Sequence, residues 1–179
     1  MSRINKAHEF AEVAHKGQER KYTGIPYISH LEETAQLLHD ITDGKASTEM
    51  YQAAILHDVV EDTEVDLKEV GQEFGKEVMD LVEELTNDSD KKKEMTKKPY
   101  MANKINNMSK PAFLIKLCDR FSNVSGLEDR RVSNKFVKWY VKETQYILDR
   151  LDRDLDDIEK FMVNKISQMI IYLRIDRNF

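Results

Sequence analysis

Apolar residues recur every three to four positions along most of the chain, which is the spacing of amphipathic helices. Glycine, proline and short polar groups separate the apolar runs. The pattern predicts helices over residues 4–16, 29–42, 48–63, 67–74, 77–85, 111–126, 134–149 and 155–175. With only six glycines and three prolines to make turns, the sequence predicts an all-α bundle.

The start of the second helix has its own signal. Ser29 is followed three residues later by Glu32, which is the spacing of a capping box. The preceding segment GQERKYTGIPY is predicted to be a loop because Gly24 and Pro26 interrupt it. His30 is therefore expected at a helix start behind this loop, where its ring can face a cleft.

Composition narrows the class of protein. The 179 residues contain no repeat, linker or change of composition, so we predict a single domain over residues 1–179. A net charge of −5 gives no general attraction to nucleic acid, and no apolar run approaches the roughly 20 residues that span a membrane. The lone Cys118 cannot form an internal disulfide, and MSRINKAHEF lacks a signal-peptide core. We expect a cytoplasmic protein and leave its oligomeric state open.

The stretch AAILHDVVEDT concentrates candidate chemistry in the third predicted helix. At about 100° per residue, His57, Asp58, Glu61 and Asp62 fall within one arc of that helix. The opposite arc is apolar and comprises Ala53, Ile55, Leu56, Val59 and Val60. Like charges at this spacing cost only a few tenths of a kcal/mol on a surface, so a solvated acidic face is the alternative. A bound cation would need further ligands from elsewhere in the chain.

Asp119 is the first such partner. It lies in FLIKLCDRFSNV, where the apolar stripe of a predicted core helix surrounds it. A partly buried carboxylate requires a hydrogen-bonded partner or a metal. Lys116 and Asn123 share the face of Asp119 at helical spacing.

Three motifs in order, PYISH, LHDVVEDT and IKLCDRFSN, resemble the HD-domain phosphohydrolases. More narrowly they resemble the alarmone hydrolases, which are the hydrolase half of the RelA/SpoT proteins and the free-standing small alarmone hydrolases. The resemblance covers about residues 5–130, and residues 134–175 are expected to pack on that part as helices. It implies an HD-domain helical bundle with a metal site between its helices.

The resemblance assigns roles residue by residue. It implies that four residues ligate the metal: His30, His57, Asp58 and Asp119. It implies a catalytic acidic pair, Glu61 and Asp62. It implies substrate contacts from Arg20, Lys21, Lys93 and Asn123, although Lys93 lies in the polar stretch 87–98, whose composition is that of a solvated surface segment. Two imidazoles and two carboxylates suit Mn²⁺, Fe²⁺, Co²⁺ or Zn²⁺ better than Mg²⁺, and the resemblance favours one Mn²⁺ ion.

The implied reaction is hydrolysis of the 3′-pyrophosphate of guanosine tetra- or pentaphosphate, which yields GDP or GTP and pyrophosphate. The chain departs from the family pattern in a short loop between Lys21 and Gly24 and at six residues: Leu31, Cys118, Phe121, Ser122, Ser125 and Gly126. These departures leave the implied ligands intact and fall around the base and ribose. Three alternatives therefore stay open: an HD phosphohydrolase for another nucleotide phosphate, a nucleotide-binding HD module without turnover, and an interaction protein that uses its apolar last helix.

Overall fold

The computed structural model describes residues 2–88 and 97–179. The helices in these ranges are α1 (Arg3–Ala14), α2 (Ile28–Ile41), α3 (Thr48–Leu56), α4 (Val59–Asp62), α5 (Leu67–Phe74), α6 (Lys76–Leu85), α7 (Lys97–Asn106), α8 (Lys110–Ser125), α9 (Asn134–Leu148) and α10 (Asp157–Arg177). In the described ranges the only β pairing is an isolated bridge between Glu19 and Pro26. The predicted all-α fold is confirmed.

Helix α8 lies at the centre of the bundle, where it contacts α2, α3, α6, α9 and α10. Its start is well specified, because the Ser109 side chain accepts a hydrogen bond from the Ala112 amide and Pro111 occupies the first turn. Phe113, Ile115 and Cys118 are fully buried along it. A side chain on the face of α8 that meets α2 and α3 is thus held in a rigid, dry setting.

The predicted helix over residues 48–63 is wrong in one respect, because it divides into α3 and α4 at His57 and Asp58. The Nδ1 atom of the His57 ring lies 2.8 Å from the carbonyl oxygen of Ala54. In a continuous α-helix that carbonyl accepts from the amide of Asp58. The ring therefore competes for the carbonyl that would continue the helix, and α4 resumes as a single turn.

The predicted capping box at Ser29 is also wrong. Helix α2 begins at Ile28, and the Ser29 hydroxyl donates to the Pro26 carbonyl at 2.8 Å instead of capping the helix. Glu32 pairs with His8 at 2.6 Å on the surface. His30 still lies in the first turn of α2, as the sequence predicts.

Helix α7 was not predicted from the sequence. It begins at Lys97, inside the stretch whose composition indicated a polar surface segment, yet Tyr100, Met101 and Ile105 are buried. Most of that stretch, including Lys93, lies outside the described residues. Four buried apolar residues of α10, namely Met162, Ile166, Ile170 and Leu173, complete the core against α8 and α9. Among the described residues, no helix combines the length and apolar character needed to cross a bilayer.

Candidate metal and phosphate site

Two histidines and two aspartates from three parts of the fold converge at the centre of the bundle. Nε2 of His57 lies 3.0 Å from Oδ2 of Asp58, and Nε2 of His30 lies 3.2 Å from Oδ1 of Asp119. The cross distances are similar, at 3.7 Å from His30 to Asp58 and 3.6 Å from His57 to Asp119. Two nitrogen and two oxygen atoms therefore surround one point.

The imidazole nitrogens at this point fit a metal. His30 and His57 are almost fully buried, and within the described residues the Nε2 atoms of both rings have no hydrogen-bond partner. Buried polar atoms without a partner are costly. His57 Nδ1–H donates to the Ala54 carbonyl, so the Nε2 lone pair of the neutral ring is directed at the carboxylates. His30, His57 and Asp119 could together hold a divalent ion.

The charges of the cluster also favour a bound cation. Burial opposes ionisation of Asp119, but the ammonium of Lys116 at 2.7 Å and the two imidazoles hold the pKa of Asp119 well below its usual range. The pKa of Asp58 is likewise lowered against burial, mainly by His57. Burial opposes protonation of His57, yet the charges of Asp58 and Asp119 raise its pKa to about 10. Two ionised carboxylates thus require a cation between them, whether a proton on His57 or a metal ion.

The acidic pair lies at the mouth of this centre. The Tyr27 hydroxyl is 2.6 Å from Oδ2 of Asp58 and 3.3 Å from Oδ2 of Asp62, so it bridges the two carboxylates. Partial burial and the charges of Asp58 and Glu61 raise the pKa of Asp62. Glu61 accepts from the amide and the side chain of Asn87, at 3.2 and 2.8 Å. Asp62 is therefore held close to the centre, and Glu61 is turned toward the end of α6.

A cleft of about 170 Å³ opens beside the centre. Its wall contains Asp58, Glu61, Asp62 and Asp119, and it also contains three cations, Lys97, Lys116 and Arg120. Buried Glu143 balances part of this charge, because its carboxylate lies 3.2 Å from Lys97 and 3.4 Å from Arg120. A cleft whose wall contains both carboxylates and cations suits a phosphate group bridged to a metal ion.

A second, larger cavity of about 580 Å³ adjoins the first, and both are lined by Tyr27, Asn123 and Tyr140. It has an aromatic and cationic wall formed by Arg20, Lys21, Tyr22 and Phe136, and the His30 ring lies at its inner end. The Lys21 ammonium lies 5.3 and 5.5 Å from the Tyr22 and Phe136 ring centroids. A flat ring with attached phosphates would meet stacking and charged groups here.

Eight of the ten predicted site residues line these two cavities, and a ninth, His57, belongs to the centre beside them. Arg20, Lys21 and Asn123 line the larger cavity, and the Asn123 amide also donates to the Asp119 carboxylate. The tenth, Lys93, lies outside the described residues. The His57 ring borders Asp58 and Asp119, although it does not face either cavity.

Sequence reasoning missed several residues of the cleft. Tyr27 and Lys116 carried a signal, because Tyr27 is part of PYISH and Lys116 is one turn before Asp119. Lys97 and Arg120 carried no sequence signal that separated them from the other lysines and arginines of the chain. Tyr140 reaches the cleft from α9, beyond the part of the chain that carries the motifs. Its pKa is raised to about 12, mainly because the side chain is buried.

Known proteins show the same fold and sequence pattern. A family model described as the HD domain matches residues 7–155. Guanosine-3′,5′-bis(diphosphate) 3′-pyrophosphohydrolase MESH1 of Xenopus tropicalis is 38% identical over 127 residues, which are 70% of this chain and 69% of the relative. The bifunctional (p)ppGpp synthase/hydrolase SpoT of Escherichia coli K12 is 36% identical over 152 residues, 78% of this chain but 21% of SpoT.

A solved structure supports the same relationship at the level of the fold. It is described as a metazoan ortholog of SpoT that hydrolyzes ppGpp and plays a role in starvation responses. It matches with a TM-score of 0.79 and 24% identity, and the match covers 94% of this chain and 95% of the other. The chain belongs to the HD-domain family and, within it, to the RelA/SpoT-like branch of 3′-pyrophosphohydrolases that includes MESH1.

Proposed function

We propose that this protein hydrolyses the 3′-pyrophosphate of guanosine tetra- or pentaphosphate and releases pyrophosphate and GDP or GTP. One observation carries the proposal: a centre of two imidazoles and two carboxylates lies where a cation-lined cleft meets a larger aromatic cavity. A nucleoside with a pyrophosphate on its ribose fits such a pair of cavities, because it has a flat ring for the aromatic cavity and a compact polyanion for the cation-lined cleft. The names of the curated relatives support the same substrate.

The proposed ligands are His30, His57, Asp58 and Asp119, and the proposed ion is Mn²⁺. Mixed nitrogen and oxygen donors favour a transition metal over Mg²⁺. A divalent ion held there would supply Lewis acidity, which would lower the pKa of a bound water and polarise a phosphoryl oxygen. Lys97, Lys116 and Arg120 are positioned to bind the pyrophosphate oxygens and to stabilise the charge that develops on them.

Asp62 is the proposed proton acceptor. Its raised pKa brings it closer to the working pH than an ordinary aspartate, which favours proton transfer. The water oxygen forms a bond to the phosphorus next to the ribose as the bond from that phosphorus to the 3′-oxygen breaks. The water proton passes to Asp62, and the 3′-oxygen leaves as a hydroxyl after taking up a proton from the acidic pair. Glu61 is the second member of that pair.

The base is proposed to occupy the larger cavity, with Arg20 and Lys21 supplying cationic contacts and Asn123 lying near the ribose. A related enzyme for another nucleotide phosphate is the second candidate. It is favoured by Ser125 and Gly126, two departures from the family pattern that line this cavity. An added Cβ at Gly126 would lie 3.2 Å from the Arg20 guanidinium, so a larger residue there would require the Arg20 side chain to shift slightly.

The test is pyrophosphate release from guanosine 3′-pyrophosphates with added Mn²⁺. We expect turnover by the wild type and its loss in His57→Ala. A panel of other ribose 3′-phosphates and pyrophosphates separates the candidates, because preference for one of them would redirect the substrate assignment. Tight binding of the guanosine compound without turnover, in protein shown to hold Mn²⁺, would instead support the binding module.

A further inference from the structure

A chain of hydrogen bonds leads from the back of His30 to the surface. Ser122, which is buried on α8, has its hydroxyl oxygen 2.9 Å from Nδ1 of His30. The same hydroxyl donates to Oε2 of Glu33 at 2.7 Å. That oxygen also accepts from Nη1 of Arg20 at 2.7 Å. The chain therefore joins α2, α8 and the loop before α2.

The direction of each bond follows from the groups involved. A carboxylate only accepts hydrogen bonds, so the single Ser122 proton points to Glu33. The Ser122 oxygen then has only lone pairs to offer His30, and Nδ1 of His30 carries the ring proton. In a neutral imidazole this leaves the lone pair on Nε2, the atom 3.2 Å from Asp119 at the centre. The chain thus selects the tautomer that can bind a metal.

We propose that Ser122 and Glu33 are positioning residues, which hold the His30 ring in the orientation and tautomer that ligates the ion. The inference rests on the proposed metal site and gives a role to two residues, Ser122 and Glu33, to which the sequence analysis assigned none. Groups that hydrogen-bond the far nitrogen of a ligating histidine fix its ring and raise its basicity. Here the carboxylate acts through a serine, at a position where the chain departs from its family pattern. Arg20 fixes the carboxylate from its other side.

The chain offers a matched control beside Glu33. Glu32 is the preceding residue on the same helix and is also exposed, but it pairs with His8 on the surface and not with the site. Replacing Glu32 therefore removes the same charge from α2 without breaking the path to His30. A general effect of helix charge would appear in both variants, whereas a positioning effect appears only at Glu33.

The measurement is the Mn²⁺ dissociation constant of metal-free protein, taken from the electron paramagnetic resonance signal of free Mn²⁺. We expect Ser122→Ala to bind Mn²⁺ about 10- to 100-fold more weakly than the wild type. Glu33→Ala should weaken binding in the same direction but less, because water can reach the exposed end of the chain. Ser122→Thr keeps the hydroxyl and should restore most of the affinity, while Glu32→Ala should match the wild type.

Turnover gives a second readout that loss of folding would not imitate. If the serine acts through the ligand, raising the Mn²⁺ concentration should recover most of the kcat of Ser122→Ala. Unchanged Mn²⁺ affinity in both Ser122→Ala and Glu33→Ala would overturn the inference, and so would equal losses in Glu33→Ala and Glu32→Ala. If Ser122→Ala fails to fold, the Glu33 and Glu32 pair decides. If the wild type binds no Mn²⁺, the proposed metal site itself is wrong. If the wild type binds Mn²⁺ and the variants bind it equally well, only the positioning role of Ser122 and Glu33 is wrong.

Discussion

A proton and a metal ion compete for the space between His57 and the carboxylates of Asp58 and Asp119. Asp58 and Asp119 are ionised, so the cluster attracts a cation, and without a metal the imidazole of His57 supplies it by remaining protonated. The crowding of acids around the His-Asp motif is costly only while no cation is bound. Metal binding and protonation of His57 are therefore linked.

This linkage predicts how the Mn²⁺ affinity depends on pH. The pKa of His57 rises from 6.5 to about 10 in the metal-free protein, so at pH 7 the ring holds a proton that a metal must displace. Affinity should increase as pH rises from 7, by close to tenfold per unit, and level off near pH 10. Calorimetry in buffers of different ionisation enthalpy would count the released proton. Binding without proton release at pH 7 would contradict the charged state of His57.

The raised pKa of His57 also makes the stability of the metal-free protein depend on pH. Because the folded pKa of His57 lies above its ordinary value, the stabilisation from this proton is fully present below about pH 6.5 and is lost as pH rises through 10. Metal-free protein should accordingly be less stable in alkaline solution, and Mn²⁺ should offset that loss since it binds the same atoms.

At the level of the element, the break between α3 and α4 shapes the site. In a continuous helix at about 100° per residue, His57, Asp58 and Asp62 would spread over an arc of roughly 140°. The observed turn instead buries His57 against Ala54 and leaves Asp62 at the mouth, within reach of the Tyr27 hydroxyl. The short α4 thus separates the residues that surround the centre from the residue proposed to move a proton.

Asp62→Asn tests this separation. The amide keeps the shape of the side chain but cannot accept a proton, so we expect turnover to fall by about 10²- to 10⁴-fold. Mn²⁺ affinity should stay close to the wild-type value, because Asp62 is not among the proposed ligands. Glu64→Gln, on the exposed turn after α4, is the matched control and should retain turnover. Wild-type turnover in Asp62→Asn would remove this residue from the mechanism.

At the scale of the whole molecule, the question is whether the last helix, α10, packs into the core or is left on the surface. Ile170 and Leu173 are fully buried against the bundle, whereas Ile171 and Ile175 are exposed by 52% and 76%. The apolar run of α10 therefore contributes one face to the core and leaves another on the surface. Asp156 and Glu159 close the start of the helix with a reciprocal capping box.

Two neighbouring isoleucines, Ile170 and Ile171, allow the buried and exposed faces of α10 to be compared. Ile170→Ala should lower the free energy of unfolding by about 2–5 kcal/mol, because it leaves a cavity in the core. Ile171→Ala makes the same chemical change on the exposed face and should cost less than about 0.5 kcal/mol. Urea unfolding of both variants would compare them. Equal costs would mean that α10 packs differently from the structure, or that its outer face is covered in solution.

Helical periodicity predicted the elements that depend on local information. The helix over 67–74 matches Leu67–Phe74, and the start near Pro111 is correct because a serine cap and a proline there act on the adjacent backbone. The prediction failed in two places. The His57 ring hydrogen-bonds the Ala54 carbonyl three residues earlier, and the helix divides there although it contains no proline or glycine. Helix α7 was missed because it begins at the end of a polar stretch, whereas its later residues Tyr100, Met101 and Ile105 are buried in the core.

The sequence was sufficient to predict the fold class and to show the family resemblance, since residue type and order carry that information. The ten residues proposed for the site follow from that resemblance. The meeting of those residues depends on packing, because His30, His57 and Asp119 are far apart in the chain and converge only when α2 and α3 pack on α8. The contacts of Ser122 with His30 and Glu33 span 92 and 89 residues, and no local pattern encodes them. Hydrogen-bond direction and burial are properties of the packed interior, so the tautomer of His30 and the charge of His57 were decided by the tertiary structure alone.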